Sequence, residues 1–61
     1  MFKIIDTYEQ AVPLSEAGLL WYKVGGGEWG ADPVGYWTRN TAAMWDRLSS
    51  LDYVHAILLE E

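Results

Sequence analysis

The chain has 61 residues, of which nine are acidic and four are basic, and its formal net charge is -5. This length predicts a single domain over residues 1–61 and excludes an active site that needs a deep cleft between two lobes. The absence of cysteine excludes disulfides, thiolate zinc sites and cysteine nucleophiles. The acidic balance argues against a general nucleic-acid binder, because affinity for phosphates depends on clustered Lys and Arg.

The first third of the chain predicts one strand followed by an irregular segment. Residues 2–6 alternate as a short strand does. Thr7 and Gln10 have the spacing of a capping box, but Pro13 would interrupt a helix that begins there. We therefore expect an extended segment, then a single helical turn over residues 15–17 that Gly18 closes in a left-handed conformation.

A glycine-rich hairpin is predicted in the middle of the chain. Residues 19–24, Leu-Leu-Trp-Tyr-Lys-Val, are rich in strand-forming side chains and end at three consecutive glycines. Residues 28–33 then read as a loop. Residues 34–39 are predicted to form the return strand.

The last third predicts a helix and a final strand. Asn40 or Thr41 is expected to cap a helix that ends near Leu51 and is broken by Asp52. Residues 53–59 are expected to form the last strand. The sequence thus predicts an α+β domain in which one helix packs on a sheet of three or four mostly antiparallel strands. The inner stripe of that helix is expected to hold Met44, Trp45, Leu48 and Leu51.

Strand alternation sorts the side chains into two faces, because successive residues of a strand point to opposite sides of the sheet. The face expected to meet the helix is almost wholly apolar and holds Phe2, Ile4, Leu20, Tyr22, Val24, Val34, Tyr36, Val54, Ala56 and Leu58. The other face mixes aromatic rings with cations and holds Lys3, Ile5, Trp21, Lys23, Trp37, Arg39, Tyr53, His55, Ile57 and Leu59.

The second face is the candidate binding surface, because Trp, Tyr and Arg dominate the binding energy of protein interfaces. The expected contact residues are Trp21, Lys23, Trp37, Arg39 and His55. In the alternative interpretation, the basic side chains only lay their stems across the indoles of an exposed sheet face.

No catalytic, cofactor or metal site is expected. His55 is the only histidine, and the nearby Ser49 and Ser50 lie at a helix end without a strained turn that would present a nucleophile. A metal ion would need three or four ligands. The run Gly25–Gly27 lacks the Gly-Lys-Ser/Thr ending of a phosphate loop. The chain is therefore predicted not to be an enzyme.

The expected function is stoichiometric binding of another protein. In size, acidity, aromatic content and lack of cysteine, the chain resembles the small accessory proteins of bacterial viruses. The resemblance implies an inhibitor or regulator of a host or defence protein, located in the cytoplasm of the bacterial host. No membrane span and no signal peptide are expected.

Several alternatives stay open. The chain could be a minor virion or scaffold component that self-associates, and the sequence is compatible with both a monomer and a homodimer. The aromatic face could instead bind single-stranded bases or an acidic peptide, and the net charge opposes nucleic acid as the target. The acidic edges could also imitate a nucleic-acid backbone and block a DNA- or RNA-binding enzyme, although the nine acidic residues are dispersed along the chain.

Overall fold

A computed structural model describes residues 1–60 of the chain. It contains two helices and a four-stranded antiparallel sheet, so the predicted α+β class is confirmed. No helix within residues 1–60 has the length and apolar character needed to cross a membrane. In chain order the elements are β1 (Phe2–Ile5), α1 (Tyr8–Glu16), β2 (Leu20–Val24), β3 (Gly30–Ala31), α2 (Ala42–Ser50) and β4 (Tyr53–Leu58).

The sheet has the strand order β1-β4-β2-β3, with β4 in the middle and each pair antiparallel. Its register decides which side chains share a face. His55 lies between Ile5 on β1 and Tyr22 on β2, whereas Ala56 lies between Ile4 and Trp21. The row with His55 belongs to the face that both helices cover, because Ile5 and Leu20 join the core with residues of α1 and α2.

The predicted faces are correct for β2 and wrong for β1 and β4. Leu20 and Tyr22 point to the helices and Trp21 points away, as expected. In β1 and β4 the assignment is reversed, because both strands carry large apolar residues at both parities and a shift of one residue turns every side chain over. The residues that lie opposite the helices, against expectation, are Phe2, Ile4, Val54, Ala56 and Leu58.

Helix α1 occupies a segment for which only a single turn was predicted. Thr7 caps it, since its Oγ1 accepts a hydrogen bond from the Gln10 backbone N–H at 3.3 Å. Pro13 lies within the helix at an exposed position, and so does Glu9, whose carbonyl would have received the missing N–H. Gly18 ends the helix with φ +75°, as predicted.

Helix α2 agrees with the prediction for the last third of the chain. The Thr41 Oγ1 accepts a hydrogen bond from the Met44 N–H at 3.2 Å, and Leu51 forms the C-cap. Trp45 is buried against the sheet, whereas Leu51 is exposed rather than part of the inner stripe. The chain then reverses at Asp52, which has φ +67°.

The predicted return strand over residues 34–39 is wrong. The strand that follows β2 in the hairpin is β3, which is only two residues long and lies in the stretch expected to be a loop. Residues 34–39 instead form successive turns, in which the N–H groups of Tyr36 and Arg39 donate to carbonyls three residues earlier. Gly35 adopts φ +76°, which breaks the extended path that its neighbours favour. Val34, expected in the core, is exposed as a result.

Trp37 lies at the centre of the core and is fully buried. Its ring meets the rings of Tyr8, Tyr36, Trp45 and His55 edge to face, with centroids 5.0–6.4 Å apart. Such pairs add about 0.5–1.5 kcal/mol each beyond area burial. The indole thus fills the space between the two helices and the sheet.

Ser15 of α1 fixes the segment that carries Trp37. Its buried Oγ accepts a hydrogen bond from the Trp37 backbone N–H at 3.1 Å, and its carbonyl accepts one from the Gly35 N–H at 2.8 Å. From the same helix, the Tyr8 hydroxyl donates to the carbonyls of Trp37 and Asn40 at 3.2 and 2.7 Å. Helix α1 therefore supplies the polar partners that a buried turn segment requires.

We predict that Ser15→Ala lowers the free energy of unfolding by about 1–3 kcal/mol, because the buried Trp37 N–H loses its acceptor. The matched control is Ser49→Ala, at the equivalent next-to-last position of α2, where the side chain is exposed. Urea denaturation of both variants measures the difference. Equal shifts in the two unfolding midpoints would show that the Ser15 contact does not hold the Trp37 segment in place.

Candidate functional site

The sheet face opposite the helices is uncovered and largely apolar. We call it the outer face and define it by the strand residues Phe2, Ile4, Trp21, Lys23, Val54, Ala56 and Leu58, together with Trp29. Ile4 and Leu58 are each 48% exposed. Of these eight residues only Lys23 is charged, in a chain whose net charge is -5.

An aromatic cluster crosses the outer face. Phe2 extends from β1, stacks on Trp29 with ring centroids 4.4 Å apart, and meets the edge of Trp21 at 5.7 Å. The Lys23 Nζ lies 4.9 Å from the centre of a Trp29 ring, within the range of a cation–π contact. The small side chain of Ala56 also points to the outer face, but it is fully buried. The outer face therefore has an ordered aromatic centre bordered by exposed Ile4 and Leu58.

The structure brings only two of the five predicted contact residues together on a surface. Trp21 and Lys23 lie on the outer face, half-buried. The exposure expected for Trp37 and His55 is wrong: Trp37 is 0% exposed and His55 is 3% exposed, and both pack in the core. Trp37 does not lie in a strand, so the alternation of a strand does not apply to it. His55 lies on the helix side because the two faces of β4 are the reverse of those predicted. Arg39 is exposed, but on the turns after β3 rather than on the sheet.

Phe2 and Trp29 belong to the outer face but were not predicted to do so. Trp29 directly precedes β3, and the pairs Trp21–Ala31 and Tyr22–Gly30 give the register of a hairpin with a three-residue loop at the glycines. That register, applied to the sequence, would have placed Trp29 opposite Lys23. No comparable signal marked Phe2, because the face of each β1 residue depends on the pairing of β1 with β4.

A pocket lies on the helix side of the sheet, apart from the outer face. We call it the aromatic pocket and define it by Tyr22, Asp32, Tyr36, Trp37, Tyr53 and His55. Its volume is about 210 Å³. Tyr22 and Tyr53 are cross-strand neighbours with nearly parallel rings, 18° apart in orientation and 6.2 Å between centroids. The pocket thus has rings from β2, β4 and the turn segment around one acidic side chain.

Two polar atoms of the pocket residues are buried without a hydrogen bond: Asp32 Oδ2 and the indole Nε1 of Trp37. Burial raises the pKa of the Asp32 carboxyl, and the nearby Trp37 N–H partly opposes that rise. The backbone holds Asp32 in place, because its N–H donates to the Leu20 carbonyl at 3.0 Å. The Asp32 carboxylate therefore has the Trp37 indole N–H as a neighbouring donor, and neither Lys nor Arg of the described chain lines the pocket to compensate its charge.

His55 separates the pocket from the centre of the core. Its ring lies 4.2 Å from that of Trp45, tilted by 30°, and meets Trp37 edge to face at 5.6 Å. Burial lowers the pKa of His55 to about 4, so the imidazole is neutral near pH 7. The residue is therefore a core side chain. It is not paired with Asp52, which lies in the turn before β4.

The composition of the two features indicates which ligands they suit. Within residues 1–60, no group of three or more His, Asp or Glu side chains is placed to hold a metal ion. The outer face offers apolar and aromatic contact area, and the aromatic pocket offers ring faces around a carboxylate. Both are suited to recognition.

Comparisons of the chain with protein-family models, with curated proteins and with solved structures found no match. The two surfaces described above are therefore the basis on which a function is proposed.

We predict that His55 makes the fold sensitive to acid. Between pH 6.5, the usual pKa of the residue, and its folded pKa of about 4, the unfolded chain binds a proton that the folded chain does not. Stability is therefore lost as the pH falls through this window, by about 1–3 kcal/mol in total.

The raised pKa of Asp32 acts in the opposite direction, since it favours the folded state as the pH falls, and it does so in wild type and in His55→Phe alike. The difference between these two proteins therefore isolates the contribution of His55. Denaturation of wild type and variant from pH 7 to pH 4 should show a difference in unfolding free energy that changes with pH. A difference that stays constant over this range would contradict the buried neutral imidazole.

Proposed function

We propose that the protein is a non-enzymatic binding module that associates with another protein through the outer face. The observation that supports this proposal is the combination of an ordered aromatic cluster with exposed aliphatic side chains on a sheet face that neither helix covers. Rigid aromatic residues surrounded by apolar contacts are typical of the energetic centres of interfaces.

The outer face is large enough for the centre of such an interface. The described chain exposes 4112 Å². A standard interface covers about 800 Å² per partner, which would be roughly a fifth of this surface. At about 3.3 Å per residue and about 4.8 Å between strands, the four strands span roughly 270 Å², so a partner of standard size would also contact the margins of the sheet.

The charge pattern favours a partner with an apolar, neutral or acidic contact region. Lys23 is held over Trp29 at the outer face, while the exposed acidic residues of the described chain lie on the helices, turns and chain end. A nucleic-acid mimic would use those dispersed carboxylates instead of the outer face. We therefore rank nucleic-acid mimicry below protein binding as the proposed function.

The compositional resemblance to phage accessory proteins extends the proposal to an inhibitor or regulator of a bacterial host or defence protein. Self-association, as in a virion or scaffold component, is the second candidate. It is favoured by the open edge of β1, which borders the outer face and carries backbone groups that no strand pairs within residues 1–60.

We predict that Leu58→Lys weakens association by roughly tenfold or more, because it places an unpaired charge within an apolar interface. Leu51→Lys is the matched control: Leu51 is 55% exposed against 48% for Leu58, the change in charge is the same, and it lies at the end of α2. Both variants should keep the circular dichroism of the wild type, since both positions are exposed.

Sedimentation equilibrium and affinity capture from bacterial lysate, applied to all three proteins, test the prediction. Loss of one captured protein in Leu58→Lys alone supports a foreign partner, and loss of a dimer in that variant alone supports self-association. Association that is equal in all three proteins, or absent from all three, would contradict binding through the outer face.

A further inference from the structure

We propose that the aromatic pocket binds a methylated ammonium group, held between the tyrosine rings and the Asp32 carboxylate. This site lies on the helix side of the sheet and is separate from the outer face. It therefore does not rest on the proposed protein-binding function.

The composition of the pocket suits a cation. Tyr22, Tyr36 and Tyr53 each contribute a half-buried ring. Aromatic faces attract cations through the ring quadrupole, and clusters of several rings recognise quaternary ammonium ligands. The rings come from three separate parts of the chain, so the sheet and the turn segment hold them in place together.

The charge of the pocket favours a cation. Asp32 is the only acidic residue that lines the pocket within residues 1–60, and neither Lys nor Arg of this range lines it. Burial raises the pKa of the Asp32 carboxyl, and the neighbouring Trp37 N–H donor partly opposes that rise. A cation in the pocket would offset the cost of burying this negative charge.

The number of rings favours a methylated over a primary ammonium group. A primary ammonium brings three N–H donors, each of which needs an acceptor after desolvation. A methylated ammonium has few or no N–H groups, and its methyl groups can pack on aromatic rings, of which three belong to tyrosines of this pocket.

The volume is sufficient for this group. The pocket has a volume of about 210 Å³ and is partly open to solvent. A water molecule occupies roughly 30 Å³ in the liquid, so the five heavy atoms of a tetramethylammonium ion fit with some space left. Leu48 of α2 and Pro33 complete the wall on the apolar side.

The test is an NMR titration of the ¹⁵N-labelled protein with tetramethylammonium chloride, choline and a peptide that contains trimethyllysine. We expect saturable shifts of the Trp37 indole and of the backbone signals of Asp32 and Tyr53. Sodium chloride at equal concentration is the control. Tighter binding of the peptide than of choline would identify a modified protein as the source of the group, and the reverse order would identify a free small molecule.

The decisive comparison uses the uncharged carbon analogue of choline, 3,3-dimethylbutan-1-ol. Choline should bind roughly tenfold more tightly than this analogue if charge is recognised. Equal affinities would overturn the proposal, as would the absence of saturable shifts with all three cations. This comparison needs only the wild-type protein and does not depend on the folding of a variant.

Two variants then test Asp32 itself. Asp32→Asn removes the charge but keeps a side-chain oxygen that can accept a hydrogen bond from the Trp37 N–H, and it should weaken choline binding by roughly tenfold. Asp46→Asn, on the exposed side of α2, makes the same change in net charge and should bind as wild type does. Unchanged binding by a folded Asp32→Asn variant would contradict the role of the carboxylate. Loss of pocket binding with intact outer-face association, or the reverse, keeps the two proposals distinguishable.

Discussion

The burial of Trp37 is the constraint on which the rest of the structure depends. Its indole touches both helices, the turn segment and, through His55, the central strand of the sheet. A chain of this length has a small core, and one large ring accounts for a substantial part of it. Residues 34–39 take an irregular path because a strand there would not bring Trp37 to this position. Ser15 and Tyr8 form hydrogen bonds with the backbone of this buried segment and so offset the cost of its irregular path.

A consequence of this arrangement is that the sheet has two different faces. Both helices and the turn segment pack on one face, so the other keeps an aromatic cluster in contact with solvent. The same turn segment brings Tyr36 and Asp32 to the edge of the covered face, where they meet Tyr22 and Tyr53 around the aromatic pocket. The segment that completes the core therefore also shapes a concave site, and the uncovered face follows from placing both helices on one side.

The fold class could be predicted from the sequence because it depends on local signals. The Thr41 cap, the strand residues of β2 and the left-handed Gly18 are each determined by a few neighbouring residues. Helix α1 was missed because Pro13 was given more weight than the Thr7 cap. A proline on the exposed side of a helix leaves a carbonyl in solvent, which costs less than the same gap in a core.

The candidate site was less predictable because it depends on pairing between distant strands. Ile4 and Ile5 are equally suited to either face, and only the register of β1 with β4 decides between them. Trp37 and Trp21 look alike in the sequence, each beside a tyrosine in a strand-like segment. One became the centre of the core and the other part of the outer face, because Gly35 and Ser15 direct the backbone at residue 37.

The most direct test of this account is the solvent accessibility of the four tryptophans. A neutral paramagnetic gadolinium chelate, added to the ¹⁵N-labelled protein, broadens NMR signals near solvent and spares buried ones. We predict that the indole signals of Trp21 and Trp29 broaden while those of Trp37 and Trp45 keep their intensity. Broadening of Trp37 equal to that of Trp21 would contradict the central position of Trp37 in the core.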